Sequence, residues 1–194
     1  HQSGRRQRQM CIRDSHMGIG HVRYPTAGTE DRELAQPMYV NSPFGISISH
    51  NGNLTNHEEL RDILVHNDLR HLNTDSDSEV LLNVFAHELQ KQGSIKPSAK
   101  EIFAAVRALH KRVRGAYSVV IMINGVGIVG FRDPFGIRPL IVGSKDSDLI
   151  GKDYMIASES TVLDSLGYEV IDDVQAGSAV FISPDGIMLS LIHI

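Results

Sequence analysis

The hydrophobic period of this sequence changes near residue 115, and that change constrains the fold more than any other feature. Before it, apolar residues recur every three or four positions, as they do along one face of an α-helix. After it, short β-branched and apolar runs alternate with turn residues, which is typical of strands. Helices followed by short strands, with no strand–helix alternation, predict an α+β fold in which helices cover a mostly antiparallel sheet.

Three helices are predicted, and each begins with a Ser or Thr followed three residues later by Glu, which is the capping-box pattern. The three pairs are Thr55 with Glu58, Ser76 with Glu79, and Ser98 with Glu101. Each pair precedes an apolar stripe at helical spacing: Leu60, Ile63 and Leu64; Leu81, Val84, Phe85 and Leu89; Ile102, Phe103, Val106, Leu109 and Val113. We expect the second helix to stop at Gly93 and the third before Gly115.

Strands and tight turns are predicted for the second half of the chain. Asn124-Gly125 joins two β-branched runs and predicts a tight hairpin in which both central residues have positive φ. Pro184-Asp185-Gly186 predicts a further turn. One strand, 44–50, is predicted before the helices, and the others are 117–123, 126–131, 140–142, 154–157, 169–170 and 179–183.

Composition excludes several classes of function. The chain has 194 residues, 41% of them hydrophobic and 22% charged, which suits one globular domain with a real core. A formal net charge of -4 gives no basic field for nucleic acid, and no apolar run approaches the roughly 18 residues that span a bilayer. A single cysteine excludes an internal disulfide framework and fits a reducing, cytoplasmic location.

Both ends differ from the rest of the sequence. Residues 1–15 contain four arginines and three glutamines without any helical or strand period, and the final LSLIHI breaks off within a pattern. We therefore interpret residues 1–15 as non-native linker or adaptor sequence, 16–190 as the domain, and 191–194 as a non-native tail. A solvated basic arm is the alternative for the first segment.

Four residues suggest a site for an amino acid substrate. The guanidinium of Arg23 matches a carboxylate in bidentate geometry, and the carboxylate of Asp77 could receive an ammonium group. The side-chain amide of Asn51 and the backbone N–H of Gly52 could together form an oxyanion hole. Each residue also has an ordinary structural alternative: a surface arginine, a hairpin turn at Asn51-Gly52, and a helix cap at Asp77.

A metal site is not predicted. Asp75, Asp77 and Glu79 resemble the start of a calcium loop, but the glycine and the distal glutamate of such a loop are missing. The single cysteine, Cys11, excludes a multi-cysteine site within this chain.

Five blocks of sequence carry a resemblance to a known family. They are GHVRYPTAG, QPMYVNSPFGISISHNGNLTN, TDSDSE, RGAY and FRDPFGIRPL, and the similarity extends over residues 17–190. In these blocks the chain resembles the class II glutamine amidotransferases, and within them the amidophosphoribosyltransferase family. The resemblance implies an N-terminal-nucleophile hydrolase fold, a four-layer αββα sandwich of antiparallel sheets, here incomplete at the N-terminus.

The resemblance also assigns roles to the candidate residues. It implies that Asn51 and the Gly52 N–H stabilise the tetrahedral oxyanion. The substrate-binding residues that it implies are Arg23 for the α-carboxylate, Asp77 for the α-ammonium, and Tyr24 and Thr26 in a mobile loop that closes over glutamine. In the family, an N-terminal cysteine attacks the amide carbon and its own α-amino group acts as the base.

The reaction implied for the parent enzyme converts glutamine, phosphoribosyl diphosphate and water to phosphoribosylamine, glutamate and diphosphate, the first committed step of purine synthesis. Two alternatives are a glucosamine-6-phosphate synthase, whose first block has Trp-Ala-Thr-His where this chain has Tyr-Pro-Thr-Ala, and a noncatalytic, truncated glutamine-binding domain. The implied partners are L-glutamine, the missing phosphoribosyltransferase domain of the same polypeptide and further copies in a homo-oligomer, with no nucleic acid and no membrane. The resemblance implies no cofactor in this domain, implies Mg²⁺ in the missing domain, and leaves an iron-sulfur cluster open.

The first prediction concerns catalysis by this chain alone. Cys11 is neither terminal nor followed by the Gly-Ile pair of the family, so it is not expected to be the nucleophile. We therefore expect the purified chain to release no glutamate from glutamine, measured by a coupled glutamate assay. Turnover that disappears in Cys11→Ala would contradict this expectation.

Overall fold

The computed structural model describes residues 16–22, 34–147 and 151–191, and it contains nine strands and four helices in those ranges. The strands are β1 Met38–Val40, β2 Ile46–Leu54, β3 Gly115–Ile123, β4 Gly127–Arg132, β5 Ile141–Ser147, β6 Gly151–Ala157, β7 Glu169–Asp173, β8 Ala179–Ile182 and β9 Met188–Leu191. The helices are α1 His57–His66, α2 Asp77–Gln90, α3 Ala99–Arg112 and α4 Ser160–Ser165.

Two antiparallel sheets form the middle of the molecule. The larger sheet has the order β1-β2-β3-β4-β8-β9, and the smaller sheet has the order β6-β5-β7. Every pairing in both sheets is antiparallel. Among the described residues, we find no helix whose length and apolar character would let it cross a bilayer.

The two faces of the larger sheet bury different partners, because successive side chains of a strand point to opposite faces. Ile48 of β2 and Val119 of β3 are fully buried in the main core, which also contains Phe85 of α2. On the opposite face, Val180 of β8 packs with Leu140 and Val142 in a second cluster that lies between the two sheets. The larger sheet therefore separates a helical layer from a second sheet.

Two glycines allow the outer layers to approach closely. A Cβ at Gly130 would lie 3.0 Å from Ile156 Cδ1, so its absence gives the second sheet room to pack. A Cβ at Gly143 would lie 2.9 Å from Cδ1 of Leu163, the fully buried residue of α4. The layers are thus three helices, the larger sheet, the smaller sheet and the short helix α4, which confirms the predicted αββα architecture.

The third helix begins as predicted. Ser98 precedes α3, its hydroxyl accepts from Glu101 N at 3.4 Å, and the Glu101 carboxylate accepts from Ser98 N at 2.7 Å. Ser76 caps α2 by accepting from Ser78 N, but Glu79 does not return the bond to Ser76. The predicted start of α2 is confirmed, and its predicted reciprocal box is wrong.

The predicted capping box of the first helix is also wrong. The residue at the cap of α1 is Asn56, and its side chain makes no capping hydrogen bond. Its amide instead donates to Arg112 O at 2.9 Å and accepts from Arg114 N at 2.9 Å. The tertiary contact with the end of α3 therefore replaces the local cap.

The hairpin between β3 and β4 occurs where it is predicted, but its turn differs. Ile123 pairs with Gly127, so the loop contains three residues rather than two. Gly125 has φ 69, whereas Asn124 does not have a positive φ. The expectation of two positive φ values is therefore wrong.

The last turn is found as predicted, with Gly186 N donating to Ser183 O at 3.1 Å. It leads into β9, which pairs with β8 and includes the first residues of the final LSLIHI segment. The division of the chain at residues 15 and 190 remains a prediction.

A buried pair joins α3 to the larger sheet. His110 Nδ1 lies 2.7 Å from Tyr117 Oη, and the two rings stack with centroids 5.7 Å apart. Burial lowers the pKa of His110 to about 4, with the negative charge of Asp133 opposing the shift. Neutral His110 is therefore the form that the folded chain favours.

The second prediction follows from this pKa. Because the unfolded chain takes up a proton near pH 6.5 and folded His110 does so only near pH 4, the free energy of unfolding should fall as pH decreases across that interval. The loss contributed by this residue should reach about 3 kcal/mol. We expect a shallower pH slope for the double variant His110→Phe, Tyr117→Phe in urea unfolding between pH 6.5 and 4.5. Equal slopes for the two proteins would contradict the assignment.

Candidate active site

One edge of β2 is open beyond its pairing with β1. The β1 strand covers only Ile46–Ile48 of β2, so the following residues have no strand partner on that side within the described residues. On the other side, β3 pairs with the whole of β2. The open edge exposes backbone groups that a neighbouring strand would otherwise occupy.

The Gly52 N–H points toward this open edge. Tyr117, which lies opposite Gly52, directs both its N–H and its C=O to Asp133 on the far side of β3. The pair formed by Gly52 and Tyr117 is therefore of the non-hydrogen-bonded type, and the Gly52 N–H faces away from β3.

The neighbouring N–H groups of β2 confirm this direction. N–H groups two residues apart in a strand point the same way. His50 N donates to Gln36 Oε1 at 2.6 Å, and Leu54 N donates to Asp77 Oδ2 at 3.1 Å. Gly52 N thus lies between two N–H groups whose acceptors define the open edge.

Only glycine fits at position 52. Its φ is 137, and a Cβ there would lie 1.9 Å from the Ala116 carbonyl oxygen. The alternative interpretation of Asn51-Gly52 as a hairpin turn is wrong, because both residues lie inside β2 and pair with Ser118 and Tyr117.

Asn51 is exposed on the face of the sheet opposite to His50. It borders an open cavity of about 1580 Å³ between the two sheets. Ser49, Ser118 and Tyr154 also line this cavity, and Ser49 Oγ donates to Gly20 O at 3.4 Å. Its volume exceeds that of a typical small-ligand site.

Asp77 lies in the first turn of α2 and keeps part of its carboxylate accessible. One oxygen accepts from Leu54 N, and the side chain retains 20% exposure. The other oxygen lies 3.4 Å from Ser78 Oγ and 4.0 Å from His50 Nδ1. Asp77 therefore adds negative charge to the helix N-terminus, ties α2 to β2, and still has capacity for a cation at the open edge.

A polar network behind the edge was not predicted from the sequence. Ser78 Oγ lies 3.0 Å from His50 Nδ1 and 3.2 Å from Gln36 Nε2. Gln36 also accepts from the His50 backbone N–H and donates to its carbonyl oxygen. Burial lowers the pKa of His50, and the charge of Asp77 partly opposes this shift. The network fixes the backbone immediately before Asn51.

Glu79 holds the loop that precedes Asp77. Its carboxylate accepts four hydrogen bonds, from the backbone and side chain of both Asn73 and Thr74. Burial alone would raise the pKa of Glu79, but these hydrogen bonds lower it below the usual value. Of the acidic residues in TDSDSE, Glu79 therefore anchors the preceding loop, and Asp77 lies at the open edge of β2.

The remaining candidate residues lie outside the described residues: Arg23, Tyr24, Thr26 and Cys11. The structure places Asn51 and Gly52 next to each other in β2 and binds Asp77 to Leu54 of the same strand. Within the described residues, no group of three or more His, Cys, Asp or Glu side chains could hold a metal ion.

Known proteins are similar to this chain in sequence and in fold. The family model described as a glutamine amidotransferase domain matches residues 21–165. The amidophosphoribosyltransferase of Pseudomonas aeruginosa is 55% identical over 180 residues, which is 93% of this chain and 36% of that protein. The amidophosphoribosyltransferase of Escherichia coli K12 is 52% identical over 179 residues, covering 92% of this chain and 35% of that protein.

A solved structure of an enzyme with a similar name also matches the fold of this chain. Glutamine phosphoribosylpyrophosphate amidotransferase from Bacillus subtilis, complexed with ADP and GMP, matches with a TM-score of 0.67 and 29% identity. The match covers 88% of this chain and 33% of that one. The chain thus spans about a third of the length of the proteins that it matches.

The third prediction tests the close approach at position 52. Gly52→Ala should lower the free energy of unfolding by about 3 kcal/mol or more, because the added Cβ meets backbone rather than a movable side chain. Gly93→Ala is the matched control, since Gly93 also has positive φ but no atom within 4 Å of the added Cβ. That control should lose only about 1 kcal/mol. Similar thermal midpoints for the two variants would contradict the packing described here.

Proposed function

This chain belongs to the glutamine amidotransferase domain family, and from that premise we propose that it forms the glutaminase part of an amidophosphoribosyltransferase. The longer enzyme would release ammonia from glutamine and use it to make phosphoribosylamine from phosphoribosyl diphosphate. The named relatives support this reaction over that of a glucosamine-6-phosphate synthase.

The observation that carries the proposal is the open edge of β2. Hydrolysis of an amide passes through a tetrahedral oxyanion, and donors that already point at its position lower the barrier. The Gly52 N–H faces the edge, and the adjacent residue Asn51 borders the cavity. In the proposed site these two groups donate to the oxyanion.

The spacing along the edge matches the length of glutamine. Asp77 is bound to Leu54, which lies two residues beyond Gly52, or about 7 Å along the strand. Four bonds separate the α-nitrogen of glutamine from its amide carbon, roughly 5 Å when extended. A glutamine whose ammonium contacts Asp77 can therefore bring its amide to the Gly52 N–H.

Three further elements of the site are proposed from the family resemblance. Arg23 would bind the α-carboxylate, and Tyr24 and Thr26 would belong to a loop that closes over the substrate. An N-terminal cysteine of the natural enzyme would attack the amide carbon, with its own amino group as the base. The resulting thioester would be hydrolysed to glutamate.

The partners and location of the longer enzyme are also proposals. The chain spans about a third of its relatives, so a phosphoribosyltransferase domain would form much of the remainder and would hold Mg²⁺. We propose a homo-oligomeric, cytoplasmic enzyme with no cofactor in the glutaminase domain.

The fourth prediction applies to the natural enzyme with its complete termini. Asn51→Ala should lower glutamine-dependent turnover by about 100- to 1,000-fold, because it removes an oxyanion donor. Arg23→Ala and Asp77→Asn should instead raise KM for glutamine by roughly 10- to 100-fold, because they bind groups that do not change during the reaction. Steady-state assays of phosphoribosylamine formation measure both effects.

Ammonia-dependent synthesis is the control, since free ammonia needs no glutamine pocket. All three variants should retain it. Asp77→Asn is a sharp test, because asparagine keeps an oxygen that can accept from Leu54 N while losing the charge. A lower thermal midpoint with both activities falling together would assign these residues to the scaffold instead.

A further inference from the structure

Two large apolar side chains project into solvent from the loop after β4. Phe135 is 81% exposed and Ile137 is 61% exposed. Their neighbours Arg138 and Pro139 are also exposed. We refer to Phe135, Ile137 and Arg138 as the docking surface.

The buried carboxylate of Asp133 binds backbone N–H groups of this loop. Asp133 is fully buried, and its carboxylate accepts from Phe135 N at 2.9 Å, Ile137 N at 3.1 Å and Tyr117 N at 3.2 Å. The Asp133 carbonyl accepts from Gly136 N and Gly177 N. The backbone of both exposed residues is therefore tied to the body of the sheet.

The guanidinium of Arg132 binds backbone carbonyl groups of the same loop. Its guanidinium donates to Arg138 O at 2.7 Å, to Val174 O at 2.8 Å and to Gly136 O. Three carbonyl groups from two segments are thus held by one planar side chain. The charged donors and the buried carboxylate make these bonds stronger than neutral ones.

Exposed apolar side chains on a backbone that is held by hydrogen bonds are suited to binding a partner. An anchor held in place loses little conformational entropy when a partner covers it, and aromatic side chains supply much of the energy of interfaces. Leu69 and Ile95 are also highly exposed and lie between helices, but among the described residues no buried carboxylate is bonded to their backbone N–H groups.

The path of the chain indicates which partner is nearest. Phe131 of β4 pairs with Ala179 of β8, and Ala179 pairs with Leu191 of β9. Leu191, the last described residue of β9, is therefore at the end of the sheet where the Asp133 loop lies. The relatives are more than twice as long as this chain.

We infer that the docking surface binds the polypeptide that follows residue 191 in the longer enzyme. Phe135 and Ile137 insert into an apolar socket on that segment, and Arg138 lies at the rim. This inference rests on the proposed membership in a longer enzyme, and it does not depend on the roles of Asn51 or Asp77.

The fifth prediction tests the docking surface by hydroxyl-radical footprinting of the natural enzyme, with modification rates normalised to intrinsic side-chain reactivity. Phe135 and Ile137 should be protected by roughly tenfold relative to their exposure in this domain, because interface cores exclude water. Leu69 and Ile95 are internal controls and should react as exposed residues. Reaction of Phe135 at the rate expected of an exposed side chain would overturn the inference.

Dilution distinguishes docking within one polypeptide from contact with a second copy, and proteolysis of the segment after residue 191 shows which part of the polypeptide docks. Protection that persists when the oligomer is diluted into protomers supports docking within one polypeptide, whereas protection lost on dilution means that a second copy covers the surface and overturns the inference. Phe135→Ser should also speed proteolysis of the segment after residue 191, and the control Ile95→Ser should not. These readouts need no catalysis, so a failure of the proposed reaction would remain distinguishable.

Discussion

Gly52 has a φ of 137 within the paired strands β2 and β3, and in this conformation a Cβ would lie 1.9 Å from the Ala116 carbonyl oxygen. Because the residue is glycine, β2 and β3 stay paired through this position, and their register determines which N–H groups of β2 face the open edge. Gln36 and Asp77 then bind the two neighbouring N–H groups and leave the Gly52 N–H between them. The helical layer, through α2 and Ser78, supports the same arrangement from behind.

Three carboxylates illustrate how environment divides similar residues among different tasks. Asp133 is fully buried and satisfied by backbone N–H groups, so it serves as an anchor for the loop after β4. Glu79 anchors the loop before α2 in the same way. A buried carboxylate without such donors would be strongly destabilising. Asp77 is the exception, because one of its oxygens is bonded to backbone while the side chain remains partly exposed.

Sequence patterns predicted what local interactions determine. The Ser98 capping box, the apolar stripes of the three helices and seven of the nine strands depend on neighbours in the chain, and the structure agrees with them. Strands β1 and β9 and the short helix α4 were not predicted. Contacts between distant residues were not predictable in this way. Asn56, and not the predicted Thr55, precedes α1 and binds the end of α3 across 56 residues, and Gln36 reaches Ser78 across 42 residues. For Asn51-Gly52 the residue types favoured a turn, and only the pairing with β3 shows that they lie within a strand.

The alternation of N–H directions along β2 has a consequence for how this domain tolerates insertions and deletions. One residue gained or lost between Ser49 and Gly52 would reverse the side to which every later N–H points, and Gly52 would then face β3. The loop between α2 and α3, around Gly93 and Ile95, has no such parity to preserve. Changes in chain length among homologous domains should therefore accumulate in the helical connections and be absent from β2.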